Sequence, residues 1–377
     1  MPMRHTWTEL QPDLLRENIR LVRERLTRGS QLIFVVKSDA YGHGMANVAQ
    51  AAWAGGARLF AVAHAHEAIA LRACLPDARI VVLGVTEPAE AVAVLRERIE
   101  PVTVGRRHAQ ALADAVRREG SRLPLRCHVK LDTGMGRLGV AWDRACDELA
   151  DVLRQPELEA VGLCTHLAKS GGPDTEFSLR QIERFRQADA SFRRAGIAIP
   201  FRHVNNSGGI LRHPEADFEG VRAGILLYGY AGPDVAAAAR PLATKPFLQW
   251  KTRVAQVKRV EPGMPISYDG THVVSAPTRL ATILVGYADG FSRLLSNRGC
   301  VLIRGRRCPV VGRVTMNLTV VDVGPDSEAR EGDEAVLLGR QETASLWADE
   351  MAGWRDTISY EVLTDIRTDD RRIVAPA

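Results

Sequence analysis

Short apolar runs alternate with amphipathic segments over the first two-thirds of the chain. The runs are rich in Val, Ile and Leu, as is typical of strands buried on both faces of a parallel sheet. The predicted strands are residues 32–36, 59–63, 80–84, 101–104, 125–131, 160–165, 201–205 and 218–222. Apolar residues at helical spacing predict helices over residues 12–28, 43–54, 65–74, 87–97, 106–118, 142–154, 175–195 and 207–212. Eight such repeats predict an α/β fold with a closed (β/α)8 TIM barrel over residues 10–240, since that barrel typically takes about 250 residues.

An open doubly wound sheet is the alternative architecture for alternating strands and helices. Its phosphate-binding fingerprint is G-x-G-x-x-G directly after the first strand. Here the first run is followed by Lys-Ser-Asp-Ala-Tyr-Gly-His-Gly, at residues 37–44. The closed barrel is therefore the preferred prediction.

The pattern changes after Tyr230. Residues 231–241 are rich in Ala, Gly and Pro and predict a linker. Beyond it, alternating apolar positions and short apolar runs predict strands over residues 250–260, 280–285, 301–304, 309–314, 318–323 and 335–338. The sequence thus predicts a second, mostly antiparallel β domain over residues 241–377.

Composition and charge narrow the function classes. The chain of 377 residues is 46% hydrophobic and 25% charged, as is typical of a globular protein with more than one domain. It has no apolar run near the about 20 residues of a membrane helix and no secretory h-region at the N-terminus, which predicts a cytoplasmic protein without a membrane partner. The net charge of +5 is dispersed, so nucleic-acid binding is not expected. The six cysteines lack CxxC spacing, so we expect reduced thiols and no metal site.

Polar residues follow five of the eight predicted barrel strands. In a parallel barrel the carboxyl ends of the strands carry the chemistry, so these residues predict one polar pocket. They are Lys37 and Tyr41 after the first strand, Asp132 to Arg137 after the fifth, Thr165 and His166 after the sixth, Asn205 to Ser207 after the seventh, and Arg222 at the end of the eighth. By themselves His166 and His203 are typical of structural histidines.

Lys37 is the first candidate for chemistry. A partly buried lysine loses its proton easily, and a neutral amine forms a Schiff base with an aldehyde. The alternative is a lysine whose ammonium group extends into water from the strand end. The fifth strand raises a second question, because Lys130 is predicted to point into the barrel interior. A buried lysine requires either a partner, such as Asp132, or a covalent change.

Several segments resemble alanine racemases, and together they span nearly the whole chain. VVKSDAYGHG at residues 35–44 resembles the pyridoxal-phosphate lysine motif, with Ser38 where Ala is usual. The other matching segments are HVKLDTGMGRLG at 128–139, THLA at 165–168, VRAGI at 221–225, ISYDGTH at 266–272, VGYADGF at 285–291, GRVTMN at 312–317 and TISYEVLT at 357–364. In that family the N-terminal residues, here 1–9, pair with the β domain.

The resemblance implies that the cofactor is pyridoxal 5'-phosphate and gives each matching residue a role. Lys37 carries the cofactor and exchanges the Cα proton on one face, and Tyr268 is the second catalytic base on the other face. The resemblance associates eight residues with the cofactor: Tyr41, His166, Asn206, Ser207, Arg222, Gly224, Ile225 and Tyr360. For Asn206 and Ser207 the predicted start of a short helix, which suits a phosphate, supports the same role. The residues associated with the substrate are Arg137, Met316 and Tyr287. Lys130 matches a lysine that is carbamylated to N6-carboxylysine and positions Arg137.

Arg222 is the most diagnostic of these positions. Many pyridoxal-phosphate enzymes keep the pyridine nitrogen protonated with an acidic group. An arginine at that nitrogen cannot accept a proton, so the ring would stay neutral and act as a weaker electron sink. Such a ring suits the removal and return of one proton. A surface ion pair is the alternative role of Arg222.

The resemblance implies an alanine racemase that interconverts L-alanine and D-alanine by two-base proton exchange and supplies D-alanine for cell-wall peptidoglycan. It also implies a head-to-tail homodimer whose shared sites take Tyr268 and Met316 from the partner subunit. Thr315, Asn317 and Asp269 depart from the common family residues, which leaves a broader amino-acid racemase, for example of serine, as the alternative. Lys130 favours alanine, because broad-specificity relatives tend to lack this lysine.

Two further functions remain as alternatives of a different class. A non-catalytic pyridoxal-phosphate carrier on the same barrel would lack the β domain and Tyr268. A decarboxylase of the same two-domain plan would place an acidic group where this chain has Arg222.

Overall fold

The computed structural model describes residues 5–27, 29–231 and 242–375. The chain divides into two compact units. The barrel unit contains residues 15–40 and 45–244, and the β unit contains residues 1–14, 41–44 and 245–377. Residues 232–241 of the predicted linker lie outside the described residues.

Eight parallel strands close into a barrel. They are Gln31–Val35, Leu59–Val62, Arg79–Val85, Ile99–Thr103, Leu125–Asp132, Leu158–Cys164, Phe201–His203 and Gly220–Ala223. Each pairs in parallel with the next, and Gly220–Ala223 closes the ring by pairing with Gln31–Val35, so that Arg222 lies opposite Ile33. The predicted TIM barrel is confirmed. Its eighth strand begins later than predicted, because Phe218 has a φ of 42° and extended pairing begins only at Gly220.

Helices alternate with the barrel strands along the chain, the first one preceding the first barrel strand, and each buries apolar residues. They are Pro12–Arg25, Met45–Ala54, Ala65–Cys74, Ala91–Arg96, Arg106–Glu119, Ala145–Leu153, Glu176–Arg194 and Ser207–Arg212. In Arg106–Glu119 the buried positions Ala109, Leu112, Ala113 and Val116 recur at helical spacing, and Gly120 ends the helix in the left-handed region with a φ of 70°.

The β unit is built mainly from antiparallel strands. They are Leu248–Val260, Pro265–Ile266, His272–Val273, Thr278–Ile283, Cys300–Ile303, Arg306–Pro309, Thr319–Asp322, Glu334–Gln341 and Ala344–Leu346. Helices Ala348–Arg355 and Ser359–Thr364 follow them. The predicted strand 309–314 is wrong beyond its first residue. Only an isolated bridge at Val310 continues it, and Gly312 leaves the extended region with a φ of 76°.

The first strand of the chain belongs to the β unit. Trp7–Leu10 pairs antiparallel with residues 248–251 and parallel with Arg371–Ile373, so it lies between a strand that follows the whole barrel in sequence and one near the C-terminus. Within the described ranges, no helix is both long and apolar enough to cross a membrane.

Candidate active site

The backbone adopts a left-handed helical conformation directly after Lys37. Ser38, Asp39 and Ala40 have φ values of 52° to 54° and ψ values of 46° to 52°, which form a turn of left-handed helix. Left-handed helical backbone costs non-glycine residues roughly 1–2 kcal/mol each, so the surrounding contacts must hold this turn in place. Such strain is typical of functional sites.

Local hydrogen bonds hold the turn. The Ser38 N–H donates to Glu67 Oε1 at 2.6 Å, and the Ala40 N–H donates to the Val36 carbonyl at 2.9 Å. Asp39 Oδ1 accepts the N–H of Met45, the first residue of the next helix, at 2.7 Å. The sequence analysis did not identify Glu67. The only signal for it was a carboxylate shortly after the second barrel strand.

The amine of Lys37 is prepared to lose its proton. Burial lowers the pKa of Lys37 below its ordinary value, and the positive charge of Arg137 lowers it further, while Glu67 opposes them. A neutral amine at this position is the species that condenses with an aldehyde and that accepts a proton from carbon.

The predicted residues of the barrel unit converge around His166. Burial lowers the pKa of His166 well below its usual range, and four positive charges lower it further. Those charges belong, in order of effect, to Arg222, Lys130, Arg137 and Lys37. Because a charge acts on a neighbouring group only over a short distance, these four side chains lie near His166. For Arg222 the distance is direct, since its Nη2 lies 3.3 Å from His166 Nδ1.

Arg222 is buried and held by acceptors on neighbouring strands. Nη1 donates to His203 Nδ1 at 2.9 Å and to the His203 carbonyl at 2.6 Å. Nη2 donates to the carbonyls of Thr165 and Val204 at 2.6 and 2.8 Å and lies 3.3 Å from His166 Nδ1. Within the described part of the chain these bonds use only the two terminal nitrogens, so the Nε–H keeps its donor for a ligand. A surface ion pair, the alternative role, does not occur: Arg222 is 4% exposed.

Lys130 points into the barrel and is 9% exposed. Burial lowers its pKa to about 8, with Arg222 and Arg137 contributing, while Cys164 and Asp132 oppose the change. Its Nζ donates to the Leu131 carbonyl at 2.9 Å, and among the described residues it forms no ion pair. The direct pair with Asp132 is not formed, because Asp132 instead accepts the backbone N–H groups of Gly134 and Gly136.

Asp132 thereby shapes the loop that carries Arg137. The Asp132 carboxylate accepts these N–H groups at 2.9 and 3.1 Å and closes the Thr-Gly-Met-Gly segment. The side chain of Arg137 is exposed and makes no hydrogen bond or ion pair with the described residues. Its guanidinium is thus available to a carboxylate ligand.

The predicted phosphate site joins two elements. Ser207 Oγ accepts the N–H groups of Gly224 and Leu226 at 3.0 and 3.3 Å, so the start of helix Ser207–Arg212 meets the end of the last barrel strand. Ile225 is buried between these two donors. The Asn206 side chain caps the helix by accepting the Gly209 N–H at 3.0 Å, which leaves its backbone as the part that can meet a ligand.

The β unit holds the remaining predicted residues in two groups. The rings of Tyr41 and Tyr360 lie 6.0 Å apart, and burial raises the pKa of Tyr41 above its usual range, so its phenol keeps a proton to donate. Tyr287 and Met316 belong to paired loops, in which the N–H of Tyr287 donates to the Thr315 carbonyl at 3.0 Å. Tyr268 begins a short 3-10 turn and is 70% exposed.

Comparison with known proteins agrees with this geometry. The family model for the alanine racemase N-terminal domain matches residues 10–232, and that for the alanine racemase C-terminal domain matches residues 247–374. An alanine racemase of Syntrophobacter fumaroxidans is 43% identical over 364 residues, which cover 97% of this chain and 96% of that protein.

Solved structures are similar over the whole chain. The alanine racemase of the D-cycloserine producing Streptomyces lavendulae has a TM-score of 0.92 at 31% identity and covers 100% of this chain and 99% of its own. The Bartonella henselae alanine racemase with covalently bound pyridoxal phosphate has a TM-score of 0.85 at 26% identity, with 99% and 100% covered. The resemblance drawn from the sequence motifs is confirmed.

Proposed function

Because this chain belongs to the alanine racemase family, we propose that it interconverts L-alanine and D-alanine with pyridoxal 5'-phosphate as its cofactor. The family consists of isomerases that use this cofactor. The observation that carries the proposal is the convergence of Lys37, Lys130, Arg137 and Arg222 on one neutral imidazole. Arg137 and Arg222 stay cationic and suit a ligand that brings a carboxylate and a phenolate, while Lys37 and Lys130 have lowered pKa values and offer amines.

The residues present fit the cofactor at three separate points. Lys37 offers an amine with a lowered pKa to the aldehyde. Ser207 and the backbone N–H of Gly224 lie together at a helix N-terminus, where a phosphate is favourable. The Nε–H of Arg222 offers a donor, and no proton acceptor, to the ring nitrogen. When bound, pyridoxal phosphate supplies the electron withdrawal that makes the Cα proton of an amino acid acidic.

In the proposed mechanism, two bases act from opposite faces of the substrate. Lys37 would take the Cα proton on one face as a neutral amine, the form that burial and Arg137 favour, and would return a proton as the ammonium. Tyr268 would act on the other face through its phenol oxygen, and His166 would help to hold the cofactor. Arg137 binds the substrate carboxylate, and the backbone N–H of Met316 contributes a second contact. Inversion follows when one base removes the proton and the other returns it.

We propose that Lys130 is carbamylated in the active protein. Carbon dioxide adds to a neutral amine, a new N–C bond forms and one proton is released to water. A pKa of about 8 makes that neutral amine far more abundant than in an ordinary lysine. The carbamate anion would then face the cations Arg137 and Arg222 and remove the repulsion that the ammonium form suffers beside them.

We also propose a head-to-tail homodimer in which the partner subunit supplies Tyr268 and Met316. Tyr268 is 70% and Met316 55% exposed, as is expected of residues that complete a site on another copy. A mixture of the Lys37→Ala and Tyr268→Ala variants tests the arrangement. Each hybrid dimer would contain one intact site, so remixing equal amounts should recover about a quarter of the wild-type rate. If each subunit used its own Tyr268, remixing would recover none.

We expect the protein to act in the cytoplasm and to provide D-alanine for peptidoglycan, in line with the bacterial relatives. Expression in a bacterium that requires D-alanine tests this role, because growth without D-alanine should depend on Lys37.

The direct test of the activity uses the purified protein with added pyridoxal phosphate. We expect a yellow protein that racemises L-alanine faster than L-serine, as followed by optical rotation. A protein that stays colourless and inert with excess cofactor would refute the proposal. Release of carbon dioxide from lysine or diaminopimelate would favour the decarboxylase alternative.

A further inference from the structure

A line of hydrogen bonds runs from Arg222 through the barrel interior. Arg222 Nη1 lies 2.9 Å from His203 Nδ1, and His203 Nε2 lies 2.8 Å from His128 Nδ1. His128 Nε2 lies 2.9 Å from Glu100 Oε2. The two imidazoles are fully buried and Glu100 is 4% exposed. The line therefore links the predicted cofactor arginine to a carboxylate that no part of the proposed reaction touches.

The donors along this line are fixed by chemistry. Arginine only donates, so His203 Nδ1 must accept, and the proton of a neutral His203 is then on Nε2. That proton donates to His128 Nδ1, so the proton of His128 is also on Nε2 and donates to Glu100. A protonated His128 would have no acceptor on His203, which agrees with the pKa values of both histidines being lowered by burial.

Glu100 is held as an anion by the groups around it. Arg79 Nε lies 2.9 Å from Oε2, and Arg126 Nη2 lies 3.2 Å from Oε1. Although burial alone would raise the pKa of Glu100, the hydrogen bond from His128 and the two arginines lower it. Both arginines and Glu100 line a cavity of about 490 Å³ at the amino ends of the barrel strands.

The opposite proton arrangement is incompatible with Arg222. If His128 carried its proton on Nδ1, His203 Nε2 would have to accept it, and the His203 proton would move to Nδ1. Two N–H donors, from His203 and from Arg222 Nη1, would then face each other at 2.9 Å. Arg222 at one end and the carboxylate of Glu100 beside His128 Nε2 at the other therefore disfavour this arrangement together.

We propose that Glu100 and His128 are positioning residues that fix the tautomer of His203 and thereby hold Arg222 with its Nε–H directed to the cofactor. The part of this inference that concerns the cofactor rests on the proposed function. The part that concerns the tautomers does not, and the two are measured separately.

Nitrogen NMR of the holoprotein with ¹⁵N-labelled histidine tests the tautomers without any substitution. The signals of His128 and His203 are assigned by their loss in His128→Gln and His203→Gln. We expect both residues to be neutral, with the proton on Nε2, over the pH range in which the protein is folded. A proton on Nδ1 of either residue, or a protonated His128, would overturn the inference.

Glu100→Gln tests whether Glu100 acts on Arg222. Oε1 of Glu100 faces both arginines, with Arg79 Nε at 3.1 Å and Arg126 Nη2 at 3.2 Å, whereas Oε2 faces His128 Nε2. A glutamine whose amide oxygen takes the Oε1 position between the arginines would turn its NH₂ group to His128 Nε2 and reverse the proton line. We expect the protons of His128 and His203 to move to Nδ1, and kcat to fall about tenfold or more with KM nearly unchanged, as expected when two buried donors are left opposed.

Glu157→Gln is the matched control, because it also removes a carboxylate paired with an arginine of the barrel unit but lies outside the line. It should leave the tautomers and kcat unchanged. A Glu100→Gln protein that behaves like this control overturns the positioning role. A protein without racemase activity that keeps both Nε2–H tautomers would refute the proposed function and leave the tautomer assignment intact.

Discussion

Replacement of Lys130 by methionine separates the stability of the fold from its activity. Burial and two neighbouring arginines lower the pKa of Lys130 from 10.5 to about 8. At about 1.4 kcal/mol for each pH unit, the ammonium form destabilises the folded protein by about 3 kcal/mol relative to an ordinary lysine. Methionine has a similar length and no charge, so Lys130→Met should remove most of this cost at pH 7.

Few contacts are lost in this variant. The hydrogen bond from Lys130 goes to the Leu131 carbonyl, which also accepts the Thr165 hydroxyl at 3.0 Å and so stays paired.

The stability difference between the variant and the wild type should depend on pH. Between about pH 8 and pH 10.5 the unfolded chain binds the lysine proton and the folded chain does not, so the stability of the wild type rises with pH there. The advantage of Lys130→Met should be full below pH 8 and vanish above pH 10.5.

Urea unfolding in buffers free of carbon dioxide measures this difference at pH 7, 9 and 10.5. Addition of bicarbonate should then stabilise only the wild type and add the mass of one carbon dioxide to the peptide that contains Lys130. The variant should keep the fold and lose activity, because Arg137 lacks its anionic partner. A variant that is less stable than the wild type at pH 7, or a difference that does not depend on pH, would refute the reasoning.

Three further predictions address the other parts of the site. Tyr268→Phe should slow the exchange of the Cα proton in deuterated water far more for one alanine enantiomer than for the other, and equal, mild losses would contradict the two-base assignment. Ser207→Ala should weaken the affinity for pyridoxal phosphate about tenfold, since the phosphate loses the hydroxyl as a donor and the segment with the Gly224 and Leu226 N–H groups loses the contact that positions it, and an unchanged Kd from cofactor fluorescence would argue against this phosphate site. Glu67→Gln should lower the pKa of the free Lys37 amine, because it removes the charge that opposes the effect of burial, so the pH midpoint for the rate at which the apoprotein binds pyridoxal phosphate covalently should fall, and a midpoint that stays or rises would contradict it.

The sequence predicts the barrel well because its strands are buried on both faces and appear as uninterrupted apolar runs. It does not predict the left-handed turn after Lys37. Glycine normally signals such a turn, and this one uses Ser38, Asp39 and Ala40. The wrong strand at residues 309–314 has a different reason, because the apolar positions continue on both sides of Gly312, where the backbone leaves the extended region with a φ of 76°.

The residues that support the site could not be found from local pattern. Glu67 is 29 positions from the N–H that it accepts, and Glu100 is 28 positions from its partner histidine. In the sequence His203 has the pattern of an ordinary core histidine. Only the fold brings it into contact with His128, which is 75 positions away. Distances of this kind arise from tertiary packing, which composition and periodicity do not encode.

The strand Trp7–Leu10 has a consequence for how the chain is made. It leaves the ribosome among the first residues, yet its two neighbours in the sheet are translated only after the whole barrel. Its edges must stay unpaired during that interval, when exposed strands are prone to aggregate. A fragment of residues 242–377 would lack the strand that lies between Leu248–Val260 and Arg371–Ile373, and a fragment of residues 1–240 would carry that strand without neighbours. The two units are thus not separable modules, and truncation between them should yield insoluble halves.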